Sequence, residues 1–311
     1  TTMKRVSIVV LNWNGADMTA TCLQSLEKLA TGDFSFSVTV VDNGSNREDV
    51  SKLKSLNIKN YSLEIVENSV NLGYAGGNNV GIKKALREKA DYVMVLNNDT
   101  TVDGNLLKPF VKAAEKKKDD GVFSPKIYFA KGFEFHKNRY KKSDMGKVVW
   151  AVGGEIDWRN VYGTNIGVDQ VDRGQFNRMK SVDFSPGTCV FAHRRVFEEV
   201  GLFDERYYLY LEDVELSVRA KRLGYEVFYV PEAVVWHKVA QSSEIGGALN
   251  DYFITRNRLL FGMEYAPLRA KLALLRESLA FLKSGRPWQR TGVKDFYLRK
   301  FGRGSWEDGK K

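Results

Sequence analysis

Asp91-Tyr92-Val93-Met94-Val95-Leu96-Asn97-Asn98-Asp99-Thr100 carries the most informative turn of this chain. The run Tyr92 to Leu96 is short, apolar and partly β-branched, as expected of a strand buried on both faces of a sheet. It stops abruptly at Asn97-Asn98-Asp99, so polar side chains collect at a carboxyl edge. In open α/β sheets that edge is where ligands bind, and a carboxylate there is placed to hold a divalent cation against a phosphate. Asn and Asp also end strands in ordinary turns. The stretch alone therefore leaves both readings open, and the residues around it have to separate them.

Upstream, Val6 to Leu11 reads as a first buried strand, broken by Asn12-Trp13-Asn14-Gly15 before a helical pattern of Met18, Cys22, Leu23, Leu26 and Leu29. Ser37 to Val41 is a second strand ending at Asp42-Asn43-Gly44-Ser45, and Leu63 to Val66 a third leading into Glu67-Asn68. The glycine-rich stretch Asn71 to Gly81 then runs into a helix expected from about Asn78 to Lys89. Strand, polar turn and helix in repetition make a wound α/β sheet, with polar loops converging at one sheet edge. The first turn lacks G-x-G-x-x-G, which argues against a dinucleotide fold, and no G-x-x-x-x-G-K-[ST] occurs, which excludes a P-loop. What the glycines offer is close backbone approach and a helix N-terminus, both suited to a phosphate or a flat base.

Downstream, Gly121 to Phe129 reads as a strand, Phe133 to Val149 as a basic, aromatic-containing loop or hairpin, and Trp150 to Trp158 as another strand. Gly163 to Met179 is rich in Gly, Asp and Asn; this region is either a surface insertion or an acceptor wall. A second constellation begins with Val182-Asp183-Phe184-Ser185-Pro186-Gly187-Thr188, which enters a buried strand, followed by a helix over Arg195 to Val200 ended by Gly201. Glu212 and Asp213 stand between the aromatic run Tyr207 to Tyr210 and an amphipathic helix marked by Val214, Val218 and Leu223. Such a pair caps a helix and complements its dipole whether or not it does chemistry. Tyr225 to Pro231 is expected as a strand closed by its proline, with Ala233 to Lys238, including His237, following.

The chain has 311 residues, 43% of them hydrophobic and 28% charged, an ordinary globular composition. Cys22 and Cys189 show no metal-ligand or C-x-x-C spacing and read as buried thiols of a reducing compartment. No apolar run approaches the ~18 residues that span a bilayer, and no signal peptide is evident, so the expected location is cytoplasmic or peripheral on the cytoplasmic membrane face. The net charge of +10 is uneven: residues 251–311 hold 14 Lys/Arg against 6 Asp/Glu, and residues 1–250 only 34 against 32. Within that basic end, Leu268, Leu272, Leu275, Leu279 and Leu282 form one helical stripe flanked by Arg269, Lys271, Arg276, Lys283 and Arg286. It suits either docking on the rest of the protein or an anionic membrane surface. Beyond Pro287 the chain reads as a basic, aromatic-containing tail.

The segments VVLNWNG, VVDNGS, NLGYAGGNN and LNNDT, in this order and spacing, resemble the inverting glycosyltransferases of family 2, and most of all the branch that includes bacterial rhamnosyltransferases. The similarity runs from Val6 to about Ser243. It implies a GT-A type fold, a wound mixed α/β sheet flanked by helices, here with a C-terminal helical, basic extension. Residues 1–250 would be the catalytic domain, with a nucleotide-binding half at 1–118 and an acceptor and catalytic half at 119–250, and 251–311 the extension. By this resemblance Trp13 stacks on the donor base and Asp42 bonds its imide edge. Asn12, Asn71, Gly76, Asn79, Asn97, Asn98 and Asp99 complete the donor site. Asp99 and His237 hold Mn²⁺ or Mg²⁺, and Asp213 is the catalytic base with Glu212 shaping the site. As an exposed carboxylate of pKa about 3.9, Asp213 would be ionised at neutral pH. The family's metal motif often carries two acids as D-x-D; here Asn97 replaces the first, leaving the cation fewer charged ligands.

The function implied is transfer of a sugar, with rhamnose from dTDP-rhamnose ahead of a UDP-sugar, to a saccharide or lipid-linked saccharide hydroxyl in cell-surface polysaccharide synthesis. A sugar nucleotidyltransferase is an alternative of related chemistry, but its G-x-G-T-R first turn is missing. A non-enzymatic basic module for polysaccharide or nucleic acid is the other; its charge would line a groove across the fold rather than gather at one end, so no nucleic-acid partner is expected.

Overall fold

The computed structural model describes residues 3–118, 121–239 and 247–307, so Ser243, where the resemblance ends, lies outside the described residues. Strands β1 (Lys4–Asn12), β2 (Phe34–Asp42), β3 (Ser62–Glu67) and β4 (Tyr92–Asn97) alternate with helices α1 (Ala16–Leu26), α2 (Arg47–Lys54) and α3 (Gly73–Arg87). There follow β5 (Thr100–Val102), α4 (Leu107–Lys116), β6 (Gly121–Phe129), β7 (Val149–Ala151), β8 (Gly154–Asp157), β9 (Tyr162–Asn165), β10 (Lys180–Ser181), β11 (Cys189–His193), α5 (Arg194–Glu199), α6 (Glu212–Arg222) and β12 (Glu226–His237). Helices α7 (Ala248–Tyr265), α8 (Leu268–Ser284) and α9 (Pro287–Tyr297) close the chain.

Ten strands form one mixed sheet with the order β10-β12-β6-β11-β4-β1-β2-β3, to which β5 is added on β12 and β7 on β6. The β3-β2-β1-β4 side is parallel, and β11 turns the sheet by pairing antiparallel with β4 and β6. Parallel strands need both faces covered, and β4 is accordingly buried from Tyr92 to Leu96. One apolar cluster joins the sheet to α1 and α4, another joins it to α3, α5 and α6.

Four expectations change. Helix α3 begins at Gly73, not near Asn78, because its glycines are packing positions: a Cβ on Gly77 would stand 2.5 Å from Leu11, and one on Gly81 2.3 Å from Val9. Pro231 does not close a strand. β12 runs on to His237 through a register shift between Val230 and Val234, the kind of irregularity that accommodates a residue without an N–H. Trp150 to Trp158 is not one strand but β7 and β8, separated at Val152-Gly153, where Gly153 has φ +80°. The loop from Phe133 is no hairpin either. Buried Glu134 accepts the N–H groups of Gly132 and Gly146, both at 2.8 Å, and the segment after β9 is pinned to β6 by Lys126, whose ammonium lies 2.7 Å from Asp172.

Candidate active site

The parallel side of the sheet delivers Asn12, Asp42 and Asn97 to one edge in register, Asn12 opposite Asp42 and Leu11 opposite Asn97. Asn12 is buried and fully engaged. Its amide donates to Asp42 (2.8 Å), Ser45 (3.2 Å) and Asp49 (2.7 Å), and its oxygen accepts from Thr19 (2.7 Å). Asp42 also accepts from the Ser45 N–H. These two acid and amide groups thus brace the edge, beside an exposed Trp13. Asn98 reaches the same hub by donating to Thr19 at 2.9 Å.

The glycine-rich segment differs most from its sequence reading. Asn71 accepts from the Asn43 amide and the Gly73 N–H, fixing the left-handed turn at Gly73 (φ +73°), where a Cβ would stand 2.4 Å from the Tyr208 ring. The N–H groups of Tyr74 and Ala75, which begin α3, are spent on the Tyr208 carbonyl at 2.7 and 3.2 Å. This helix start therefore does not present them to a phosphate. Asn79 bonds both backbone groups of Phe203 and reaches Glu205, while Gly76 lies beside Leu72 and Glu205. Asn79 thus ties this segment to the one before α6, while Asn71 only shapes the turn.

At the end of β4, Asp99 meets His237 at the end of β12. Asp99 Oδ1 and His237 Nε2 are 3.1 Å apart, and the Asp99 carbonyl accepts the Lys238 N–H at 2.9 Å. Asp99 Oδ1 is buried without a hydrogen-bond donor, and so is His237 Nδ1 without a partner. Adjacent ligands of an octahedral cation with bonds of about 2.1 Å stand about 3 Å apart, so this oxygen and nitrogen fit a divalent cation. Among the described residues no group of three His, Cys, Asp or Glu side chains gathers around one point, so water or substrate oxygens would complete the coordination. The ring of Trp150 meets the His237 ring edge to face at 4.7 Å.

The acid pair is at the head of α6, entered through Leu211 in a left-handed conformation (φ 71°). Asp213 is half-buried and accepts the N–H of Gly187 (2.7 Å) on one oxygen and that of Val214 (2.8 Å) on the other. Burial nevertheless holds its carboxyl above the usual aspartate range, which corrects the picture of an exposed carboxylate of ordinary pKa. Glu212 is buried, with Oε2 lacking any partner, and its carboxyl is pushed well up, first by burial and then by the charge of Asp213.

Residues 187 and 188 join the two constellations. Gly187 donates to Asp213, and the next carbonyl, of Thr188, accepts the Asn97 N–H at 2.9 Å. The Tyr74 hydroxyl donates to the Gly187 carbonyl, and its pKa is raised by burial and then by Glu212, Asp213, Cys189 and Asp99. Tyr74 and Asp213 thus meet at Gly187. Sequence reasoning passed over Tyr74, Thr19, Asn43 and Gly187, although all four lie in or beside the motifs it quoted.

Comparison with known proteins agrees with this fold. The family model described as Glycosyl transferase family 2 matches residues 7–201, and that described as Glycosyl transferase family group 2 matches residues 156–291. The N-acetylglucosaminyl-diphospho-decaprenol L-rhamnosyltransferase of Mycobacterium tuberculosis is 29% identical over 217 residues, 67% of this chain and 68% of that one. A low-salt glycan biosynthesis hexosyltransferase of Haloferax volcanii is 24% identical over 71% of this chain and 63% of its own length. Among solved structures, GalNAc-T7 with UDP, GalNAc and Mn²⁺ superposes with a TM-score of 0.63, covering 95% of this chain and 57% of that chain at 16% identity. The mannosyltransferase PcManGT of Pyrobaculum calidifontis, with GDP-Man and Mn²⁺, gives 0.55 at 16% identity, covering 95% of this chain and 74% of that one. At such identity the likeness is one of fold, the GT-A type wound mixed sheet flanked by helices.

Proposed function

The chain belongs to glycosyl transferase family 2, and from that membership we propose that it is a metal-dependent, inverting enzyme that moves a sugar from a nucleoside diphosphate to a saccharide or lipid-linked saccharide hydroxyl. The observation that supports the reading is the approach of Asp99 to His237 beside β4, whose end is linked to the Glu212-Asp213 pair by the Asn97 N–H on the Thr188 carbonyl and the Gly187 N–H on Asp213. Family membership displaces both the nucleotidyltransferase and the non-enzymatic alternatives.

The residues divide the work. The edge braced by Asn12 and Asp42, with Trp13 exposed beside it, receives the nucleoside. Asp99 and His237 would hold Mn²⁺ or Mg²⁺, which would supply Lewis-acid chemistry for the departing diphosphate. On the opposite side of the sugar, Asp213 accepts the proton of the acceptor hydroxyl as its oxygen bonds to the anomeric carbon and the diphosphate leaves. A base whose pKa is lifted towards the working pH takes that proton more readily than an ordinary aspartate. Burial and the charge of Asp213 push the Glu212 carboxyl further up than that of Asp213, so Asp213 is the member of the pair that gives up its proton first.

Rhamnose from dTDP-rhamnose is the donor reading ahead of UDP-sugars, supported by the relative named for L-rhamnosyl transfer to a diphospho-decaprenol. The exposed stripe of α8 supports a peripheral site on an anionic membrane, where such an acceptor would reside. A thermal-shift panel of nucleotide sugars with Mn²⁺, Mg²⁺ or chelator tests the proposal, because a ligand at ~100 times its dissociation constant adds about 2.7 kcal/mol. Stabilisation by a dTDP- or UDP-sugar in metal only is expected; equal shifts in chelator would overturn metal dependence.

A further inference from the structure

The loop that delivers the acid pair is held open-handed by a helix outside the sheet. Between α5 and α6, Tyr208, Tyr210 and Leu211 all have left-handed backbone (φ 64°, 70° and 71°), and none is glycine. Such a loop persists only where its surroundings fix it. Two consecutive residues of α7 do so. Arg256, fully buried, donates to the carbonyls of Arg206 (3.1 Å) and Tyr207 (3.0 Å), and through its other amino group to Gly302 (2.6 Å). Its Nε donates to the Asn257 oxygen at 3.0 Å, orienting that amide. The Asn257 amide nitrogen then donates to the carbonyls of Tyr207 (2.8 Å), Leu209 (2.7 Å) and Tyr210 (2.9 Å). The one carbonyl in the run that they leave, that of Tyr208, takes the Tyr74 and Ala75 N–H groups at the start of α3.

Every carbonyl from Arg206 to Tyr210 is thus held from outside the loop, four by α7 and one by the donor-side helix. The arrangement has the wrong form for a simple ion pair. The Arg256 guanidinium meets carbonyls and the rings of Tyr252 and Phe253 instead of a carboxylate; one amino group takes both loop carbonyls, the other takes Gly302 and Nε takes Asn257, a spread that the single ammonium of a lysine does not cover. Left-handed Leu211 then leads directly into Glu212 and Asp213.

We propose that Arg256 and Asn257 are positioning residues for the transfer step: they set the 206–210 backbone, and with it both the acid pair of α6 and the Tyr74 end of α3, so that the acceptor and donor sides are registered by one helix of the C-terminal segment. This rests on the reading of Asp213 as the base.

The test uses the full chain with Asn257→Asp, which keeps shape and removes the donors, and Arg256→Lys, which keeps charge and removes the fork. Leu274→Ala is the control: Leu274 packs α8 on α7 at Gly262 and touches no part of the loop hydrogen bonding, so it lowers stability alone. Hydrogen exchange is followed at the Tyr74 and Ala75 amides and across 204–216, and turnover of dTDP-rhamnose or UDP-glucose is split into kcat and donor KM. In whichever loop variant folds, exchange at these amides is expected to rise tenfold or more, and kcat to fall 10- to 100-fold with donor KM within threefold. Wild-type exchange in the loop variants, or the same exchange and kcat change in Leu274→Ala, would overturn the inference. Failure of the underlying reading looks different: Asp213→Asn would then keep its transfer rate while the loop variants still exchange faster.

Discussion

Glu212 and Asp213 are chain neighbours in opposite circumstances. Asp213 has both oxygens on N–H groups and is partly open; Glu212 is buried with an oxygen that nothing satisfies. A carboxyl whose folded pKa is raised binds more protons in the native state than in the unfolded chain, so its contribution is intact below about 4.5 and is lost as pH climbs through the folded value. Glu212→Gln removes that penalty. Its unfolding midpoint relative to wild type should therefore rise as pH is taken from about 5 to about 9, and a difference independent of pH would contradict the assignment. For the cation, Asp99→Ala or His237→Ala should weaken UDP or dTDP affinity in Mn²⁺ by tenfold or more and leave affinity in chelator unchanged. Isothermal titration with and without metal checks this, and equal losses in both conditions would remove the metal role. At this scale the sequence was legible for the place of a side chain at an element's end, as with Asp99 after β4 and Asp213 at the head of α6. It was not where a polar side chain is consumed by its neighbours. Nothing local separates an Asn that meets ligand from one that, like Asn12 or Asn79, spends its amide on the fold, because the partners lie 30 or more residues away.

Helix α8 makes the same point for elements. The leucines at alternating spacings of four and three predicted one apolar face, and that face exists, but it is not the one that docks. Ala270, Leu274 and Ser278 are buried against α7 and α9, while Leu268 is 73%, Leu272 55% and Leu279 61% exposed. Small residues suffice for a close helix contact, so the leucine count misplaces the face: among the described residues Leu282 alone of the stripe packs on the helical cluster beside Leu274 and Phe281. Leu268, Leu272 and Leu279 thus do not dock on the described residues, and the proposal made above assigns them, with Arg269, Arg276 and Lys283, to an anionic surface, where each basic residue would contribute about 1 kcal/mol. Replacing Leu268, Leu272 and Leu279 by Ser together should abolish cosedimentation with phosphatidylglycerol vesicles at low salt without lowering the unfolding midpoint. Leu274→Ala should do the reverse, costing about 2–5 kcal/mol of stability and leaving vesicle binding intact. Vesicle binding unchanged in the triple variant would end the membrane reading. No helix among the described residues is long and apolar enough to cross a membrane.

Across the whole molecule, the wound sheet and its ligand edge could be read from the strands and the loops that end them, since both patterns are local. The C-terminal segment could not. Its aromatic residues have no period, yet Trp288, Trp306, Tyr252 and Phe253 pack together, Asp295 is buried against Tyr252 and Ser305, and Gly302 reaches Arg256. A supposed tail is thus part of the support for the acid pair, and the expected boundary after residue 250 falls inside α7. On the proposed reading the duties are separable: donor at the ends of β1 and β2, cation between Asp99 after β4 and His237 at the end of β12, proton transfer at the head of α6. Asp213→Asn tests that division most directly, because it keeps shape and removes basicity. With sugar transfer and nucleoside diphosphate affinity in Mn²⁺ measured on the same protein, transfer should fall roughly 10²- to 10⁴-fold while affinity stays within threefold. Transfer surviving within threefold, or carried instead by Glu212→Gln alone, would contradict the account.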